Sequence, residues 1–487
     1  MQNVSKTSRS RGSLHGIWRK LSVLRNSSNP LALVMQLAQQ RGGCLPLRHQ
    51  SQRVFLLTAV EHFKHVLATN SRNYCKYLDG MEPIFGASMI TMDGTPWQRM
   101  RAVQQPAFHP DMISGYVPHF LTAIESRMIR WAEAADAAKP VDLCEETWAL
   151  AADMTCRALF DRDMPFDAGS AFRAVKTFTD VSNHETVRLR HGDGGSAGGR
   201  DGDIARATER WIELPKAILD AAPVERRERT LLRLIAAANA NPSAPQFAIQ
   251  QLLDEIKQYV WAGTETTALM LAWALYLVAT HDEVAAHIRH EARDVFGIRE
   301  PTAADASRLT YTRNVIAETM RMYPPIWSLT RMAIADDAIG GHDIKQGDTV
   351  VLCIYAAHRD PRYWDEPDRF DPDRFAPERA KARPPYGYLP FGGGKRACIG
   401  GTMAQTEAVL ALALFLRDFD FEYAGDDPVA VDLTVTLSPR NGLPFRISRR
   451  TRRKTSRAAI SPARGMNHVG CPFDLSLSTC TVDGVQP

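Results

Sequence analysis

One cysteine stands in a setting suited to ligation. The stretch Phe391-Gly-Gly-Gly-Lys-Arg-Ala-Cys-Ile-Gly400 presents Cys398 from a glycine-rich turn just before a long apolar helix pattern. A thiolate that ligates a metal needs positive charge, amide donors and an open approach. Lys395 and Arg396 give the charge, and the helix that follows turns its partially positive N-terminus toward the sulfur. Gly392 and Gly393 are expected to form a tight turn at positive φ, with Gly394 and Gly400 letting the backbone pass close to a bulky planar group. A glycine-rich loop with one cysteine also has a purely structural reading, so three stretches upstream carry weight.

The first, Ala262-Gly-Thr-Glu-Thr-Thr267, interrupts the longest helix pattern, about residues 246–280. Glycine and adjacent threonines weaken a helix interior, and a hydroxyl there can bond a backbone carbonyl and open a groove. Either the hydroxyls are locally satisfied in a core helix, or Glu265 and Thr266 pass protons through water into an apolar chamber. In the second stretch Thr95 is expected to cap a helix with Pro96 at its first position, and Trp97 and Arg101, four apart, share a face. In the third, Glu318 and Arg321 lie three apart on a helix that Pro324 and Pro325 end.

Phe391, Gly394, Arg396, Cys398 and Gly400 fill every fixed place of the haem-binding loop of the cytochrome P450 family, which the chain resembles over roughly residues 50–448. The resemblance implies one mainly α domain with small β-sheets. It implies haem b (iron protoporphyrin IX) between the central helix and the cysteine loop, with Cys398 as the metal ligand. Trp97, Arg101, Arg331 and Arg396 would hold the haem propionates, with Phe391 and Gly400 completing the cofactor loop. Thr266 would orient the proton network, Glu265 relay to it and Thr267 support it. Glu318 and Arg321, locked to Arg374, would brace the cysteine loop without doing chemistry. Phe85, Met89, Ile90, Ala262, Ile326 and Trp327 would approach the substrate, and His358 would bond to structure or to a propionate.

The implied activity is insertion of one oxygen atom of O2 into a hydrophobic small molecule, terpenoid or fatty-acid-like. A peroxygenase, an isomerase or a haem sensor keeps the cysteine, but has less use for the Glu265-Thr266 pair. The sequence stops soon after the haem region, so electrons are expected from a separate ferredoxin or flavodoxin-like donor with its reductase, meeting a face that carries Arg99, Lys395 and Arg396.

The elements that must position these groups fit one large domain. Of 487 residues 45% are hydrophobic and 23% charged, and the net charge of +4 is too small to imply nucleic-acid binding. The eight cysteines include no close metal-binding pair and do not read as a disulfide framework; a pairing of Cys471 with Cys480 is not expected. Residues 1–49 read as a basic, serine-rich extension able to touch a surface through an amphipathic segment, without a transmembrane anchor, and residues 449–487 as a basic tail. A cytoplasmic monomer is the expectation. Residues 54–57 read as a strand before a helix bearing Phe63, Val66 and Leu67, residues 74–92 as an irregular apolar loop, and residues 122–160 as helices broken by turns. Residues 191–202 read as a low-complexity loop within a mobile lid, residues 326–331 as a strand, residues 339–352 as a hairpin, and residues 419–447 as strands with a turn at Asn441-Gly442.

Overall fold

The computed structural model describes residues 42–49, 52–77, 81–165, 172, 200–220, 231–240, 248–297, 299–425, 429–433 and 435–450. The expected amphipathic segment near the N-terminus, nearly all of the 191–202 loop, the tail beyond residue 450, Cys471 and Cys480 lie outside them. The part of the 191–202 stretch that is described, Arg200–Gly202, opens a helix instead.

The long apolar pattern becomes the axis of the molecule. Among the described residues nine helices have ten or more residues: α1 (Gly94–Gln104), α2 (Pro110–Asp136), α3 (Leu143–Phe160), α4 (Arg200–Asp220), α5 (Leu231–Ala240), α6 (Ile249–Ala279), α7 (Asp282–Phe296), α8 (Thr310–Met322) and α9 (Gly401–Asp418). Helix α6 is apolar all round over residues 268–279, which requires burial on every side, and α3, α7, α8 and α9 all pack on the helix. It is long and apolar enough to cross a membrane, but most of it is buried inside the protein. Packing against α3 is close: a Cβ at Gly263 would come within 2.7 Å of the Thr155 hydroxyl. Trp131 of α2 lies on Phe415 of α9 with ring centroids 4.4 Å apart, joining the outer helices to the same core.

Among the described residues twelve strands form four small sheets: β1 (Cys44–His49), β2 (Gln52–Leu57), β3 (Tyr74–Lys76), β4 (Val141–Asp142), β5 (Ser328–Ala333), β6 (Asp337–Ile339), β7 (His342–Ile344), β8 (Thr349–Cys353), β9 (Phe419–Tyr423), β10 (Val431–Leu433), β11 (Leu437–Pro439) and β12 (Pro444–Arg449). The largest has the order β1-β2-β8-β5-β3. Its register sets Lys76 of β3 directly opposite Arg331 of β5. Like charges facing across a strand pair destabilise it, so this placement calls for another explanation.

Several expectations need correction. Residues 44–49 pair with β2 and so belong to the sheet, not to an extension. Asp93, not Thr95, caps α1: its carboxylate accepts from the Gly94 amide at 2.6 Å, and an acidic side chain outcompetes a hydroxyl at a positive helix end. Residues 110–136 form one helix that tolerates Pro118 internally, so the turns expected after Thr122 are confined to the α2–α3 connection. Residues 339–352 do not make one hairpin. β6 and β7 pair with each other, while β8 leaves to lie between β2 and β5.

Candidate functional site

Cys398 is the exposed one of the six described cysteines, yet burial raises its thiol pKa, with the Gly400 amide and Arg101 opposing that shift. A sulfur that is accessible and also surrounded by protein faces an enclosed opening. The loop is held by its own backbone, the Cys398 amide donating to the Phe391 carbonyl at 2.9 Å. Gly392 and Gly394 adopt positive φ, whereas Gly393 is extended at φ −158°. Gly394 is required by the protein itself, because a Cβ there would lie 2.1 Å from the Leu67 carbonyl. The glycine expected to clear a planar group is thus spent on a neighbouring turn. Gly400 differs: a Cβ would meet only the Phe108 ring, at 3.8 Å. Phe391 packs beneath Gly401.

Beside this loop four cations converge. Arg101 of α1 donates to the Ala397 carbonyl at 3.1 Å and to Gln105 at 3.2 Å. Arg396 lies 4.0 Å from the centre of the Trp97 ring and pairs with Asp93. Arg331 is buried, and its guanidinium donates to the Thr330 carbonyl at 2.9 Å. The fourth, Lys76, was not anticipated; its ammonium donates to the carbonyls of Met89 at 3.1 Å and Ile90 at 3.2 Å. Burial pushes the Lys76 amine down to about 7, and Arg396, Arg331 and Arg101 add to the shift. Burial likewise lowers Arg331 and Arg396 to about 10. Among the described residues Asp93, paired with Arg396, is the one carboxylate in an ion pair with any of the three arginines.

Clustering four buried or half-buried cations beside only two carboxylates, Asp93 and Glu255, is costly unless a ligand brings more negative charge. A thiol in an enclosed opening beside such a cluster has the donor chemistry of a site for a planar metal group with two carboxylates. The residues present fit haem.

Helix α6 forms another wall. Between Gln258 and Val278 every residue is buried except Ala262, Gly263, Glu265 and Thr266. The open patch therefore coincides with the acid–threonine stretch. The Thr266 hydroxyl donates to the Ala262 carbonyl at 2.7 Å, and Glu265 accepts from Thr436 at 3.4 Å. Thr267 lies away from this patch, 1% exposed and with its hydroxyl partnerless among the described residues. Phe85 is buried against Trp261, 5.1 Å between ring centroids, and Trp211 of α4. Met89 and Trp327 are buried, while Ile90 and Ile326 are half-buried.

The Glu318–Arg321 pair is fully buried and bidentate at 2.7 and 2.8 Å. Arg374 approaches Glu318 at 3.3 Å, so the three residues meet as expected. Arg321 donates onward to the carbonyls of His358 and Pro367 at 2.9 and 2.7 Å. His358 serves structure: its Nε2 accepts from the Leu389 amide at 2.8 Å, two residues before the cysteine loop. Burial lowers its pKa to about 3, which keeps that nitrogen free to accept.

Known proteins share this architecture. The sequence matches the family model described as Cytochrome P450 over residues 12–444. It is 33% identical over 388 residues to cyclooctatin synthase of Streptomyces melanosporofaciens, covering 76% of this chain and 81% of that one. It is 28% identical over 414 residues to cyclooctat-9-en-7-ol 5-monooxygenase of the same organism, covering 82% and 85%. The crystal structure of the cytochrome P450DA heme domain superposes with a TM-score of 0.74 at 25% identity, over 87% of this chain and 93% of that one.

Proposed function

Since the chain belongs to the cytochrome P450 family, we propose that Cys398 would hold the haem iron of a monooxygenase whose substrate is terpenoid or fatty-acid-like, fed with electrons by a separate ferredoxin or flavodoxin-like protein. The observation that carries the reading is the accessible, enclosed Cys398 sulfur beside a cluster of four cations. Names of relatives such as cyclooctatin synthase and echinocystic acid 23-monooxygenase favour a bulky apolar substrate. The aromatic and aliphatic groups Phe85, Met89, Ile90, Ile326 and Trp327 suit one.

Bound through the Cys398 thiolate, the haem iron would supply dioxygen activation, with thiolate donation favouring O–O cleavage. The work of the chain divides among named atoms. Arg101, Arg331, Arg396 and Lys76, with Trp97, would bind the haem carboxylates through charge-assisted hydrogen bonds. Thr266 Oγ1 can exchange its bond to the Ala262 carbonyl for one to water, and Glu265 can supply the proton that this water passes on. Glu318, Arg321 and Arg374 would hold the strands and turns that carry the cysteine loop. The apolar wall would exclude bulk water while the C–H bond is positioned.

The six described cysteines are all free, which supports a reducing compartment such as the cytoplasm. Exposed Lys395 and Arg99 suit an acidic electron donor, and we take the protein to act as a monomer. Substrate assignment is tested by titrating the ferric protein with terpenoids and with fatty acids and following the spin-state shift. Saturable shifts with terpenoids or fatty acids support the reading; shifts only with small charged acids contradict it.

A further inference from the structure

The loop that carries Met89 and Ile90 is held in an unusual way. Three of its backbone amides donate to side chains of α6 rather than to other backbone: Ala87 to Asp254 at 3.1 Å, Met89 to Glu255 at 2.7 Å and Ile90 to Gln258 at 2.6 Å. All three acceptors are buried. Gln258 also donates to Glu255 at 3.0 Å, which ties two acceptors into one unit. On the other side, the carbonyls of the same two residues, Met89 and Ile90, receive the Lys76 ammonium. Two consecutive residues are thus gripped through their amides by acceptors from the central helix and through their carbonyls by a cation from β3.

Lys76 is also the point where this loop meets the arginine cluster. It faces Arg101, Arg331 and Arg396, with Glu255 as the acidic group on its other side, and its backbone amide donates to Asp93 at 2.6 Å. Asp93 in turn pairs with Arg396. Glu255 itself faces Asp254, Gln104, Gln258 and Lys76. An ammonium carries three N–H bonds, and among the described residues two are used. If the grip served folding alone, an apolar side chain would avoid burying a fourth positive charge opposite Arg331.

We propose that Lys76 and the Glu255–Gln258 unit are positioning residues for the Met89–Ile90 pocket segment, and that Lys76 couples this grip to retention of the anionic group in the arginine cluster. The inference rests on the haem reading given above. Carboxylates in the cluster keep Lys76 charged, and a charged Lys76 holds both carbonyls. Loosening the loop therefore loosens the cofactor, although Gln258 belongs to neither the thiolate loop nor the arginine cluster.

The test measures haem release from the purified holoprotein to apomyoglobin, for the parent, Lys76→Met, Lys76→Arg, Gln258→Leu and the Lys76→Met/Gln258→Leu double variant. Loss of a charge-assisted hydrogen bond predicts release about tenfold faster for Lys76→Met. Lys76→Arg should stay within about threefold of the parent, since the charge is kept. Gln258→Leu should release haem about fivefold faster in the parent and add nothing in the Lys76→Met background, as expected of coupled residues. Parental release from Gln258→Leu, or effects that multiply in the double variant, overturns the coupling; if Lys76→Met takes up no haem, Gln258→Leu against the parent decides alone. Hydrogen exchange across residues 86–92 reports the grip directly, and unchanged exchange in Gln258→Leu overturns it. The carbon-monoxide spectrum of the same samples reports the haem reading separately, so failure of one is not mistaken for failure of the other.

Discussion

At Thr266 folding and chemistry compete for one hydroxyl. It is bonded to the Ala262 carbonyl, a back-bond that slightly weakens a helix, at the half-buried stretch of α6. Replacing Thr266 by alanine should leave folding within about 1 kcal/mol of the parent, yet divert most reducing equivalents from product to peroxide. The ratio of product formed to NAD(P)H consumed, with surrogate redox partners, checks this; an unchanged ratio removes the relay role. At Gly86 the demand is steric. Its φ is +56°, and a Cβ would lie 2.1 Å from an Asp254 carboxylate oxygen. Gly86→Ala should therefore cost at least about 2 kcal/mol in denaturant unfolding, and parental stability would show that the turn can move away. Neither Lys76 nor Asp254 announces itself in the sequence. A lysine in Tyr74-Cys-Lys-Tyr77 looks like a surface residue until the register places it opposite Arg331.

Elements differ in how plainly they can be read. Helix α6 is legible because its unbroken apolar run over residues 268–279 leaves no alternative to burial. The Glu318–Arg321 spacing was legible as a pair, and the prolines after it marked the end of α8, which closes at Met322. Asp93 is hard to single out because Thr95-Pro96 also offers a local start; beyond its bond to the Gly94 amide, Arg396 and the Lys76 amide, both distant in sequence, hold the aspartate. The hairpin expected over residues 339–352 failed because alternation records which face is buried, not which strand is the neighbour. Position 394 is similar: the need for glycine was visible, but the Leu67 carbonyl that imposes it was not. Breaking the buried pair with Glu318→Gln should cost about 3–5 kcal/mol, since two arginines lose their shared counter-charge. Haem content and melting temperature should fall together. A variant that melts like the parent would mean that the three residues do not brace the loop.

For the molecule as a whole, acid stability should follow the histidine behind the cysteine loop. His358 is held neutral, its pKa lowered by burial to about 3 against an ordinary value of about 6.5. A depressed group contributes stability that is present above the unfolded value and lost as pH falls toward the folded one. The melting temperature should therefore drop as pH falls from 6.5 toward about 4. His358→Gln, which can still accept from the Leu389 amide, should flatten that dependence, and an equal slope in both proteins would assign the acid sensitivity elsewhere. The mainly α architecture was legible from periodicity and the loop pattern together; how the sheet, the cation cluster and the pocket loop join was not, because those contacts link residues 76, 89, 255, 331 and 396.

The central claim is that Cys398 supplies a thiolate to haem. The ferrous carbon-monoxide difference spectrum of the intact chain and of Cys398→Ser tests it most directly. The account predicts a thiolate-type, red-shifted Soret band in the parent that disappears in the variant while the protein stays folded. A haem-loaded parent without that band, or a variant that keeps it, would contradict the assignment of Cys398.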